Sequence, residues 1–335
     1  MNKLKFIILI TCCSSLFSCI DEPKEYANTY QGNFDALWNI MDTRYCYFDY
    51  KKIDWDSVYT VYQPKVTKTS NDEDFFELMG NMLNELKDGH VNLYSNFDIS
   101  RYWKWYTDYP SNFSSSLIKK DRYLGDNYRI AGGMKYQIID NGKIGYIYYG
   151  DFSNTFTNDN VKFIFEYFKN CKALIIDVRD NGGGYLSYAD MLAGYFFTKN
   201  TITNYICHKT GDGHSDFSQP KAITTNASGI QWQRPVAVLT NRMSFSATNA
   251  FVSKMKIAPK AIIIGDKTGG GGGMPLSSEI PIGWMVRFST SPMFDSGMKQ
   301  IEWGIDPDVK VDMDITDESN GYDTIIEKAI SILDE

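Results

Sequence analysis

Ala173-Leu174-Ile175-Ile176-Asp177-Val178 runs directly into Arg179-Asp180-Asn181-Gly182-Gly183-Gly184. The first six residues are almost wholly apolar and do not alternate with polar ones, the pattern of a strand buried on both faces of a parallel sheet. A glycine-rich exit followed by a helical pattern through Phe197 makes this a strand, turn and helix unit. The order repeats with a strand over 236–239, a turn over 240–244 and a helix over 246–256. Before these units, Ile144-Gly145-Tyr146-Ile147-Tyr148-Tyr149 predicts a strand and 158–170 a helix. After them come a strand over 261–264, a glycine loop at 269–273, two hairpin strands around Ile282-Gly283 and a terminal helix near 324–333. Residues 143–335 therefore read as an α/β core of βα units.

Working outward, Phe34, Leu37, Trp38, Met41 and Tyr45 recur at three- and four-residue steps, so residues 32–95 read as an N-terminal helical domain. Ser70-Asn71-Asp72-Glu73 supplies an N-cap and acidic first turn for a helix over 75–86. Leu86-Lys87-Asp88-Gly89-His90 ends that helix at a glycine and leaves His90 where the chain turns into a strand over 91–94. Residues 96–142 have weak periodicity and form a connecting segment to which no element is assigned.

The chain has 335 residues, 43% hydrophobic, which is ample for a buried core, and its formal charge of −7 provides no basic field for nucleic acid. Residues 1–18 carry Lys3 and Lys5, then an apolar run, then small residues ending at Cys19, as in a secretory signal too short to span a membrane. Leu16-Phe17-Ser18-Cys19 resembles a bacterial lipobox, which implies lipid on Cys19, a tether over 19–31 and a cell-envelope location, periplasmic or surface exposed. Losing Lys3 and Lys5 with the signal takes the charge from −7 to −9. The membrane would then be met through the N-terminal lipid only. Cys46, Cys171 and Cys207 are left, an odd number without metal or disulfide spacing, and read as packing residues.

The triple glycine leaves backbone N–H groups open at a helix start, which suits an anion, an oxyanion or simply a tight turn. Neither it nor Gly269 to Gly273 completes a phosphate-loop or dinucleotide pattern. Ser244 and Ser246 lie at the second turn, where a serine either caps the helix or serves as a nucleophile. A serine nucleophile also needs a base, and the chain holds three histidines. His208 and His214 sit in a polar stretch, 207–218, that reads as a mobile surface loop, whereas His90 occupies a structured junction, where it serves either as a base or as a satisfied structural histidine. No His, Cys or carboxylate set has ligand spacing, so neither metal nor cofactor is expected.

Taken in order, Leu86 to His90, Gly145-Tyr146-Ile147 with Phe152, Ile175 to Gly184, Thr240-Asn241 with Ser244 to Asn249, Gly265-Asp266 and Gly304-Ile305-Asp306-Pro307-Asp308 resemble the tail-specific (C-terminal-processing) serine peptidases over residues 80–310. The resemblance implies a crotonase-like (ClpP/crotonase) core, Ser246 as nucleophile, and an oxyanion hole from Ala247 N–H with Gly183, or Gly184 in second place. Many relatives place a lysine about 25 residues after the serine. This chain has glycines there, and its nearest lysine, Lys267, is the alternative base. The tricorn-like branch implies His90 as base with Glu302 as its carboxylate. The interval from His90 to Lys143 is too short for the PDZ module that many relatives insert. Peptide or protein substrates follow; the oligomeric state stays open. A catalytically inactive peptide- or hydrophobic-ligand-binding lipoprotein on the same scaffold is the alternative, and a glycan binder, suggested by 23 Tyr and 7 Trp, is a third.

Overall fold

Residues 25–335 are described in the computed structural model, so the signal of residues 1–18 and Cys19 lie outside them. Thr29, Asp54 and Asn71 each accept a first-turn backbone N–H and start α1 (Tyr30–Arg44), α3 (Trp55–Val66) and α4 (Asp72–Asn84), with the single-turn α2 (Phe48–Lys51) between the first two. Their apolar faces bury Phe34, Leu37, Met41, Phe48, Trp55, Phe75 and Met79 in one cluster. Each such side chain contributes about 1.5–3 kcal/mol on burial. That cluster is not closed by residues 32–95 alone, because Ile280, Trp284, Val286 and Phe288 from the C-terminal half complete it.

The segment left unassigned in the sequence, 96–142, holds three strands and a single-turn helix. β1 (Asn92–Tyr94) pairs with β2 (Ile99–Arg101), followed by α5 (Lys104–Thr107), β3 (Arg129–Ala131) and β4 (Met134–Ile139). From there the chain alternates as the sequence predicts, through β5 (Ile144–Tyr148), α6 (Asn158–Tyr167), β6 (Ala173–Asp177) and α7 (Leu186–Gly194). Then follow β7 (Thr201–Ile206), β8 (Lys221–Thr225), β9 (Val236–Thr240), α8 (Ala247–Met255) and β10 (Ala261–Gly265). A hairpin of β11 (Gly273–Glu279) and β12 (Met285–Asp295) precedes β13 (Val309–Lys310), α9 (Ile315–Ser319) and α10 (Thr324–Asp334).

Two sheets result. A seven-stranded sheet runs β13-β10-β9-β6-β5-β4-β3, parallel from β5 to β13 and antiparallel at β3 and β4, so the core sheet starts at residue 129 rather than 143. One face packs Val161, Ile164, Leu192 and Phe251 from α6, α7 and α8, and the other packs Ile325, Ile326 and Ala329 from α10. A six-stranded antiparallel sheet runs β2-β1-β12-β7-β8 with β11 also on β12. At the end of β6, the fully buried Arg179 pairs with Asp177 at 2.6 Å and with Asp323, the N-cap of α10, at 3.0 Å. This ion cluster fixes the chain where the glycine turn begins.

Candidate active site

β9 delivers the chain to a turn that Ser244 closes, its buried hydroxyl donating to the Val178 carbonyl at 2.8 Å. Ser246 follows at the head of α8 with φ +58° and ψ −119°, a conformation that costs a non-glycine residue on the order of 1–3 kcal/mol. Neighbouring loops hold it there. Ser246 N–H donates to the Gly270 carbonyl at 2.8 Å, and Phe245 N–H to the Asn181 carbonyl at 3.1 Å. Its hydroxyl makes no capping bond to α8, so the helix-cap reading fails. Instead Ser246 Oγ lies 2.9 Å from His90 Nε2.

His90 reaches this point because α4 stops before Gly89 and β1 then pairs with β12 through Asn92 and Arg287. Its ring lies 4.7 Å from that of Phe245, which stacks at 4.2 Å on Trp105 of α5. Trp105 belongs to the segment that sequence periodicity left blank. Burial pushes the imidazole down to about 4, with Arg287 and Lys51 adding to the effect and Asp88 opposing it. His90 is therefore a neutral imidazole at pH 7. Its Nδ1 is buried and has no hydrogen-bond partner among the described residues.

Glu302 is close by, but its carboxylate does not hydrogen-bond His90. Oε1 pairs with Lys51 Nζ at 2.8 Å and Oε2 accepts the Gly272 N–H at 2.9 Å, which uses both oxygens. The carboxylate nearest the histidine in the chain is Asp88, which accepts the His90 backbone N–H at 2.8 Å and the Tyr45 hydroxyl at 2.8 Å. Lys51 Nζ is also 3.3 Å from Asp88 Oδ2, so one ammonium, its side chain 2% exposed, joins two buried carboxylates. Burial and the Asp88 charge push Glu302 up to about 7 against the pull of Lys51. Burial acts upward on Asp88 too, but Lys51 and His90 hold it below the usual carboxylate range. Sequence reasoning missed Lys51, since a lysine ending a short helix looks like any solvated lysine, and it placed Tyr45 only on the apolar face of a helix.

The glycine turn after β6 engages the amide of the preferred oxyanion donor. Gly183 N–H donates to Asn181 Oδ1 at 3.0 Å, and that oxygen also accepts the Thr248 hydroxyl at 2.7 Å, so the amide is committed internally. Gly184, by contrast, lines a cavity of about 260 Å³ together with Ser246, Gly271 and Gly272. Ala247, buried as the first residue of α8, presents its N–H at the positive helix end. Leu186, Ala250, Met293 and Ile301 make the cavity wall apolar. A wider cleft of about 850 Å³, beside Asn39, Arg44, Asp212 and Glu279, contains none of these groups and is a surface groove.

Lys267 is not brought to the serine. Its ammonium pairs with Asp306 at 3.3 Å, and Asp306 borders a separate hollow beside Ser253 and Lys256, toward the far end of α8. His208 and His214 are tied rather than loose. The first lies 3.1 Å from Ser291 Oγ, and the second lies 2.8 Å from Asp42 and against the Phe48 ring. Cys46, Cys171 and Cys207 are buried free thiols. Among the described residues no three His, Cys, Asp or Glu side chains converge as a metal would need, and no helix is long and apolar enough to cross a membrane.

Residues 143–311 match the model of peptidase family S41, and residues 26–84 match the tricorn protease C1 domain. Ser246 and Glu302 fall within the first match, and His90 falls between the two. A crystal structure described as a peptidase from Parabacteroides merdae ATCC 43184 is 49% identical, with a TM-score of 0.88 over 92% of this chain and 97% of that one. A tricorn-like protease C-terminal subunit of Sulfurisphaera tokodaii is 28% identical over 235 residues, 65% of this chain and 25% of its own length. The carboxy-terminal processing protease CtpB of Bacillus subtilis is 30% identical over 146 residues, 43% of this chain and 28% of its own. The chain thus spans about a quarter of the length of these two curated relatives. With half of its 335 residues matched, and with them the strands and turn that carry Ser246, the chain belongs to peptidase family S41, a family of C-terminal-processing serine peptidases.

Proposed function

We propose that the chain hydrolyses peptide bonds in peptides or proteins, with Ser246 as nucleophile and His90 as base. The observation that carries this is the 2.9 Å contact between a neutral imidazole and a hydroxyl held at positive φ at a helix head. His90 Nε2 takes the Ser246 proton, Oγ attacks the carbonyl carbon, and the oxyanion meets the N–H groups of Ala247 and Gly184. Each donor is worth roughly 3 kcal/mol in such sites. The imidazolium then protonates the leaving amine, and water releases the acyl group by the reverse sequence. Asp88 places negative charge near the imidazolium as it forms, and Glu302, linked to Asp88 through Lys51, acts as a positioning group.

The core is read as crotonase-like, because successive βα units carry the oxyanion turn and the nucleophile to the same ends of adjacent parallel strands. Lipid on Cys19, anchoring the protein to the cell envelope, is proposed from the signal-like start. One observation favours the inactive binding protein instead: no carboxylate engages His90 Nδ1 among the described residues. Labelling by a serine-directed fluorophosphonate separates the two. The wild-type protein should label at Ser246 and Ser246→Ala should not; an unlabelled wild type gives the site to a binder, and labelling that persists in Ser246→Ala removes this nucleophile.

A further inference from the structure

We propose that Arg287 is the carboxylate anchor of the Ser246 cavity, selecting peptides that present either a C-terminal carboxylate or an Asp or Glu side chain beside the scissile bond. The inference deepens the peptidase reading and rests on it for the orientation of the peptide. Arg287 is the one charged side chain in the lining of that cavity, whose other walls include Leu186, Ala250, Met274, Pro275, Met293 and Ile301. It is half-buried, yet it has no hydrogen bond or ion pair among the described residues.

The contrast with the other arginines is informative. Arg122, Arg179 and Arg242 pair with carboxylates, Arg44 donates to Ser278, Arg234 to main-chain carbonyls, and Arg101 and Arg129 lie over aromatic rings. Arg287 sits in the middle of the six-stranded sheet between Asn92 of β1 and Ser277 of β11, neither of which offers a carboxylate. Strand alternation puts it on the face of β12 that carries Ser289, whose hydroxyl reaches Asp88 at 3.3 Å. Asp88 is already taken up by Tyr45, Lys51 and the His90 backbone.

A guanidinium withdrawn from water and left without an internal partner favours an incoming anion, and its planar fork matches a carboxylate with two parallel N–H···O bonds. Apolar walls strengthen that attraction by excluding water. The positive charge of Arg287 also disfavours the imidazolium of His90, so a bound carboxylate offsets that opposition when the base takes its proton.

Binding is measured on Ser246→Ala, so that no turnover is needed, using matched peptides with a free or amidated C-terminus and, separately, with Glu or Gln next to the scissile position. One acidic peptide should bind roughly 10–100-fold more tightly than its neutral partner, and the preference should vanish in Ser246→Ala/Arg287→Gln. A preference in the first pair assigns the C-terminal carboxylate, and one in the second pair the side chain. Equal affinities within both pairs, or a preference that survives the double variant, overturn the proposal. The comparison in Ser246→Ala alone stands even if the double variant does not fold. Fluorophosphonate labelling of the wild type reports separately on the nucleophile, so a labelled protein with no acid preference rejects Arg287 and not the peptidase.

Discussion

Lys51→Met removes the ammonium between Asp88 and Glu302 while keeping an unbranched chain over the rings of Tyr45, Tyr47 and Trp303. The two carboxylates, each within hydrogen-bonding or ion-pairing reach of the same nitrogen, are then no more than about 6 Å apart with no cation between them. At an effective dielectric of about 20, that repulsion is about 3 kcal/mol, in line with the 3–5 kcal/mol typical of removing one partner from a buried ion pair. Proton uptake by Glu302 relieves it. In the wild type the carboxyl is pushed up to about 7 from a reference of 4.5, so its stability contribution is complete below about 4.5 and lost as pH rises through about 7. Without Lys51 the folded value climbs further and the loss extends upward. The variant should therefore fall short of wild type by about 3 kcal/mol at pH 8.5 and by roughly half that or less at pH 6. Urea titrations followed by tryptophan fluorescence at the two pH values measure both deficits. A deficit that is the same at pH 6 and pH 8.5, or smaller than about 0.5 kcal/mol at both, refutes the account of the cluster as a charge-coupled unit.

Three more expectations concern the site. Because His90 is held down to about 4, kcat/KM should stay near its neutral value at pH 5 and fall with an acid limb centred near 4; a limb near 6.5 would mean that burial does not govern the base. Lys267→Ala should leave turnover of a peptide substrate within about twofold of wild type, since that lysine pairs with Asp306; abolition of turnover with the fold retained would reinstate it as the base. Gly271 has φ +76°, and a Cβ there would lie 2.5 Å from Phe245 Cζ and 3.1 Å from His90 Cε1. Gly271→Ala should cost on the order of 2 kcal/mol in a urea titration and lower kcat at least tenfold, and an unchanged kcat would show that the imidazole tolerates displacement of its aromatic neighbour.

What the sequence disclosed was local. The apolar run before Arg179 becomes β6, buried at every position, and the turn at Ser246 is legible because strand, turn and helix follow within a few residues. His90 could be placed because a glycine and a change of periodicity mark its junction. The rest depends on contacts between distant segments. β3 and β4 are short and partly polar, and they become strands because β5 offers β4 an edge and β4 in turn offers one to β3. Lys51 meets Glu302 across some 250 residues of chain, so no periodicity could pair them. The choice between Gly183 and Gly184 turns on where the Asn181 amide points, a side-chain decision that backbone pattern does not reveal.

The two side chains proposed to react ride on different sheets, Ser246 behind β9 of the mixed one and His90 ahead of β1 of the antiparallel one. No short-range feature of the chain fastens them to each other across the 156 positions that separate them. The proposed hydrolysis therefore depends on how the two sheets abut. A slip of an ångström or two between them would break the Ser246–His90 contact while leaving each sheet's own ladder of hydrogen bonds intact, and the bonds between α8 and β7, Asn204 to Ser253 at 3.0 Å and Lys254 to Asn204 at 2.9 Å, oppose it.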